Sequence, residues 1–133
     1  LLGIDVLGEV MPLVPYGELP QAMPAEAFHR RIEQQLGKKV LHSAEGGPKM
    51  IRRVAWCTGG GQGFIQQAAE FGVDAFIPGE VSEQTIHIAR EMGLHFFAAG
   101  HHASERYGVK ALGEWLAAAH GLDVTFIDID NPA

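Results

Sequence analysis

The chain has 133 residues, 47% of them hydrophobic and 20% charged, with a formal net charge of −6. These values fit one domain with enough apolar material for a core that needs no disulfide or metal staple on grounds of size. They weigh against a nucleic-acid partner, because binding to a phosphate backbone needs clustered Lys and Arg, and the ten basic residues here are scattered apart from Arg52–Arg53 with Lys49 nearby. No stretch reaches the ~18 apolar residues of a membrane helix, and no signal-peptide pattern opens the chain. The single cysteine, Cys57, lies in an apolar run, so a reducing, cytoplasmic location without a membrane segment is expected.

The chain opens Leu1–Leu2–Gly3–Ile4 with no initiator Met, which reads as the end of a helix running into a strand and suggests a truncated or processed chain. Val6 to Val14 reads as a strand, with Pro12 placing it at an edge or a bulge, and Pro15–Tyr16–Gly17 as a turn. A helix is predicted from Pro24 to Leu36, striped by Phe28, Ile32 and Leu36 and capped by Gly37. Val40–Leu41 reads as a short strand and residues 45–48 as a loop. Beyond this point the texture changes, giving an expected inter-domain strand and helix segment over 1–48 and an α/β domain over 49–133.

In the second part, four short apolar runs (54–57, 75–77, 94–99 and 124–127) are separated by three predicted helices. Those helices run from about Gln62 to Phe71, from an N-cap at Ser82 to Met92, and from His102 to Ala119. Strand–helix alternation of this kind predicts an α/β fold of three α/β/α layers, with a mainly parallel or mixed sheet built from repeated βαβ units and an added N-terminal strand–helix–strand segment.

Open α/β sheets place ligands at the carboxyl ends of their strands, and three candidate segments follow strands in this way. Gly100–His101–His102–Ala103–Ser104–Glu105 opens a helix, so His101 and Glu105, four apart, share one face and can grip one metal or bridge two. His102 points elsewhere, as an outer partner or capping group. The alternative is that Glu105 merely favours the helix dipole and the histidines are loop residues. Gly59, Gly60 and Gly61 could cradle an anion at a helix N-terminus or simply form a tight turn. The run does not complete a dinucleotide fingerprint, because Phe64 takes the third glycine's place. Glu80 is either an outer-shell carboxylate or general base, or an acid near a helix start. His87 and His95 read as structural, and His29, His42 and His120 as surface residues; Trp56 and Trp115 read as core or interface.

Taken together, Arg53–Val54–Ala55–Trp56–Cys57–Thr58–Gly59–Gly60–Gly61–Gln62, Gly79–Glu80–Val81–Ser82–Glu83–Gln84, Ala99–Gly100–His101–His102 and Asp123–Val124–Thr125–Phe126–Ile127–Asp128 closely resemble the YbgI-type dinuclear-metal-centre family, whose members carry the label GTP cyclohydrolase 1 type 2 homologue. The resemblance covers essentially the whole chain. It implies two intertwined α/β domains assembled as a toroidal homo-hexamer, a trimer of dimers, with two divalent ions in a cleft facing the central cavity; His and carboxylate ligands are compatible with Zn, Mn, Fe or Ni. It makes His101 and Glu105 metal ligands and assigns a His–His pair and an Asp to an N-terminal half that this chain does not include. The implied activity is metal-dependent hydrolysis of a nucleotide or other phosphorylated heterocycle, with Glu80 or His102 moving a proton. The alternative is a metal-binding toroid that docks a partner without catalysis.

Overall fold

The computed structural model describes residues 1–131. They form an α/β domain with a six-stranded mixed sheet and four helices. The strands are β1 (Asp5–Met11), β2 (Val14–Pro24), β3 (Leu41–Ser43), β4 (Met50–Cys57), β5 (Ala75–Pro78) and β6 (His95–Ala98), and the helices α1 (Ala25–Leu36), α2 (Ile65–Phe71), α3 (Glu83–Met92) and α4 (His101–His120). The sheet order is β1-β2-β4-β5-β6-β3. Only β4–β5 and β5–β6 are parallel, joined through α2 and α3 as two βαβ units; the other three pairings are antiparallel.

The N-terminal segment departs from the sequence reading. Val6 to Val14 is not one strand but a hairpin that reverses at Pro12–Leu13, and Pro15–Tyr16–Gly17, expected as a turn, runs inside β2. Proline at the second position of a four-residue turn followed by a residue with positive φ is the type II pattern, and Leu13 takes φ 71° there.

Alternation along the inner strands divides the core between the two faces. Val54, Ala75, Ile77 and Phe97 meet Phe28, Ile32 and Leu36 of α1 on one side. Ala55, Phe76 and Phe96 meet Ile65 and Ala68 of α2 and Ala89 of α3 on the other. Period-two alternation of this kind lets one strand fill both cores, and burial of each large side chain contributes about 1.5–3 kcal/mol. Ser82 caps α3 as expected, its Oγ accepting the Thr85 N–H at 3.3 Å.

The run 124–127, expected as a closing strand, is exposed coil. The edges of the sheet are β1 and β3, and the run is added to neither. It lies along α4 instead: a Cβ built on Gly113 would meet Val124 Cγ1 at 2.9 Å, and Lys110 Nζ sits 5.9 Å from the Phe126 ring centre. Helix α4 is fastened near its start, where Tyr107 donates to Gln35 O at 2.9 Å and Arg106 to Leu36 O at 3.3 Å. Beyond that point Trp115 is exposed, outside the core. No described helix is long and apolar enough to cross a membrane.

Candidate functional site

The loops that leave β4, β5 and β6 meet at the carboxyl ends of the parallel strands and are tied together through their backbones. Gly79 N–H donates to Gly59 O at 2.9 Å, and Gly100 N–H to Gly79 O at 2.8 Å. A Cβ on Gly79 would stand 2.6 Å from Gly59 O, so the contact requires glycine. Gly59 N–H donates to Ser104 Oγ at 3.1 Å, and Ser104 donates in turn to His101 O at 3.0 Å. This stitching fixes the first turn of α4 against the triple-glycine loop.

On that frame the structure brings together His101, Glu105 and Glu80. His101 Nδ1 lies 2.6 Å from Glu80 Oε1, and its Nε2 lies 3.3 Å from Glu105 Oε2. A carboxylate only accepts, so Nδ1 carries the proton toward Glu80; in the neutral ring Nε2 then presents its lone pair on the Glu105 side. Glu80 Oε2 also accepts from Gln62 Nε2 at 3.2 Å. The Glu80 carboxylate raises the His101 pKa above its usual value, with Glu105 adding to the effect, and the same hydrogen bond lowers that of Glu80. A side chain at Gly59 would collide with the Glu105 carboxylate and approach His101 Nε2 at 3.0 Å.

The two side chains suit a metal. Ligand atoms about 2.0–2.2 Å from a tetrahedral ion lie roughly 3.4 Å apart, close to the 3.3 Å between His101 Nε2 and Glu105 Oε2. A carboxylate on the far ring nitrogen is also the usual outer partner of a metal-binding histidine.

The remaining candidates fall around this pair. Of the three glycines, Gly59 and Gly61 already donate their N–H groups, Gly61 to Gly59 O at 3.0 Å, and Gly60 is the exposed one, a Cβ there lying 3.8 Å from the Glu80 carboxylate. His102 is not gathered with them. Its Nε2 is buried without a hydrogen bond and has Asp128 Oδ1 at 3.9 Å, beyond hydrogen-bond reach. Cys57, beneath Gly61, has its pKa raised by burial and then by the Glu105 charge. A cavity of about 350 Å³ adjoins the rim, lined by Leu2, Ile4, Trp56, Thr58, Ser104 and Tyr107 among others.

A second group was not legible in the sequence. Glu26, His29 and His42 place one ligand atom each within 4.8 Å of the other two, a His/Glu group able to hold a metal ion. His29 and His42 are therefore not simple surface residues: both are half-buried, and the His42 ring stacks on Phe97 at 4.2 Å. The Glu26–His29 spacing of three on a helix was available from sequence, but nothing local showed that β3 would bring His42 beside it. His95 is buried, as expected of a structural residue.

The sequence and the fold both have relatives. A GTP cyclohydrolase 1 type 2 homolog from Yersinia pestis is 68% identical over 133 residues, which are 100% of this chain and 54% of that protein. The homolog from Escherichia coli K12 is 64% identical over the same span and covers the same shares. The solved structure of protein ybgI, described as of unknown function, superposes with a TM-score of 0.95 at 64% identity, over 99% of this chain and 53% of that one. A structure from Thermus thermophilus superposes with a TM-score of 0.84 at 27% identity, over 99% and 52%. This chain thus spans about half the length of the curated relatives it matches. Residues 3–132 match the Duf34/NIF3 (NGG1p interacting factor 3) family, and the chain belongs to that family.

Proposed function

We propose that this chain supplies His101 and Glu105 to a dinuclear metal centre in a metal-dependent hydrolase acting on a nucleotide or other phosphorylated heterocycle. The observation that carries the reading is the 3.3 Å approach of His101 Nε2 to Glu105 Oε2, with Glu80 holding Nδ1 at 2.6 Å. Two divalent ions (Zn, Mn, Fe or Ni), completed by ligands from outside this chain, would acidify a bound water and polarise a phosphoryl or ring carbonyl oxygen. Glu80 keeps the imidazole in the tautomer that leaves Nε2 free, and its exposed carboxylate can take a proton at Oε2 on release from Gln62. Gly59 keeps the space in front of both ligands clear. Gly60, the exposed one of the three glycines, is the one left to contact a substrate phosphate, and the adjoining apolar cavity would give a heterocycle a wall. Glu80 touches His101 directly at 2.6 Å, whereas the ionic neighbour of His102 is Asp128 at 3.9 Å, so Glu80 is the stronger candidate for moving a proton.

The test is turnover by the full-length metal-loaded protein against a panel of nucleoside phosphates. Metal-dependent hydrolysis is expected, and His101→Ala should reduce it by more than the roughly 10- to 100-fold that loss of an outer partner costs. Undiminished hydrolysis by that variant would exclude the reading. A non-catalytic toroidal assembly is the second reading, favoured by the exposed Val109, Leu112 and Trp115 on α4 and Ile127 and Ile129 beyond it, apolar surface suited to covering by other chains. Both readings place the protein in the cytoplasm as a homo-hexamer, a trimer of dimers. No turnover across the panel, with metal bound and the assembly intact, selects the second.

A further inference from the structure

The cluster on α1 and β3 lies outside the rim and has a hydrogen-bond network of its own. Glu26 and His29 share a face at the start of α1, and His42 enters from the edge strand β3, whose register sets it opposite Phe97 of β6. The order of protons in the network follows from its ends. His95 Nε2 lies 2.7 Å from Pro48 O, and a carbonyl only accepts, so that nitrogen carries the hydrogen. In the neutral His95 ring Nδ1 is then an acceptor, and His42 Nε2, 3.1 Å away, must donate to it. His29 Nε2 likewise donates to Val40 O at 2.8 Å. The network therefore leaves Nδ1 as the unprotonated nitrogen on both His29 and His42.

Metal-binding histidines are oriented in this way, each ring donating its other N–H to a fixed acceptor. Two imidazoles and a carboxylate, with one position left to water, make up a common open zinc site. We propose that Glu26, His29 and His42 form a second, mononuclear site for a borderline divalent ion of the zinc type, independent of the rim pair. The present spread of up to 4.8 Å among the ligand atoms exceeds the roughly 3.4 Å of a tetrahedral set. Glu26 is the ligand able to close the difference, because it is exposed and its ion pair among the described residues, with Arg30 at 3.1 Å, is exposed as well. Once closed, the site ties the first turn of α1 to the sheet's edge strand.

The test uses the full-length protein carrying His101→Ala and Glu105→Ala, so that the outcome does not depend on the rim ligands. Zn²⁺ binding is measured by equilibrium dialysis, and Co²⁺ is used to report tetrahedral coordination through its visible absorption. At least one equivalent should remain. Adding Glu26→Gln or His42→Phe should remove that equivalent or weaken it at least tenfold, with loss of the Co²⁺ signal. No residual metal in the double variant, or binding indifferent to both added substitutions, would overturn the proposal. Should His42→Phe fail to fold, Glu26→Gln decides alone, since its side chain is exposed and, among the described residues, its hydrogen bond is to the exposed Arg30.

Discussion

The rim of the parallel strands and the edge formed by α1 and β3 both present histidines, yet they set them in opposite electrostatic surroundings. At the rim, His101 lies between two carboxylates, and its pKa is raised. At the edge, His42 lies between two other histidines and the face of Phe97, and burial together with those neighbours pushes it down to about 4. The same side chain is thus held ready for protonation in one place and kept neutral in the other, and only its partners differ.

The sharpest way to break the edge without touching the rim is Phe97→Ala. The ring is fully buried, meets Phe28 edge-on at 5.6 Å and underlies His42. Removing such a side chain should cost about 3–5 kcal/mol, read by chemical denaturation, and should free the His42 ring. The converse substitution at the rim is Gly79→Ala, whose methyl would meet Gly59 O at 2.6 Å and Gly59 Cα at 2.9 Å. About 1–3 kcal/mol of destabilisation is expected, with weaker metal binding by His101 and Glu105 and no change at the edge group. A smaller effect is expected from Ser104→Ala, which leaves the Gly59 N–H without its acceptor, at about 1 kcal/mol.

The comparison is sharpened further by pH, with effects of opposite sign. In metal-free protein, NMR titration should place His101 above its ordinary value and His42 near 4. Because His101 binds its proton more tightly when folded, its contribution to stability is complete below the ordinary histidine value of about 6.5 and is lost as pH rises through the folded pKa. His42 binds its proton less tightly when folded, so stability is complete above about 6.5 and falls as pH drops from there toward 4. Glu80→Gln should return His101 toward the ordinary value and leave His42 unmoved.

Much of the rim was legible in the sequence because its determinants are local. A strand, a glycine loop and a helix start recur three times, and the four-residue spacing of His101 and Glu105 fixes their shared face once α4 forms. The resemblance to known proteins added the metal-ligand role proposed for those two residues. What eluded the sequence was long-range. The Val6–Val14 run hid a reversal at Pro12–Leu13, because the apolar residues on both sides of it suit a strand. The run from Val124 to Ile127 has strand composition but lies along α4 instead of joining the sheet. His42 looked like a surface residue until β3 paired with β6 and set it on Phe97.

The measurement that bears most directly on the central claim is anomalous diffraction from crystals of the full-length protein loaded with zinc or manganese. A peak is expected within coordination distance of both His101 Nε2 and the Glu105 carboxylate, with Glu80 still on Nδ1. Metal peaks elsewhere and none between those two side chains would contradict the assignment.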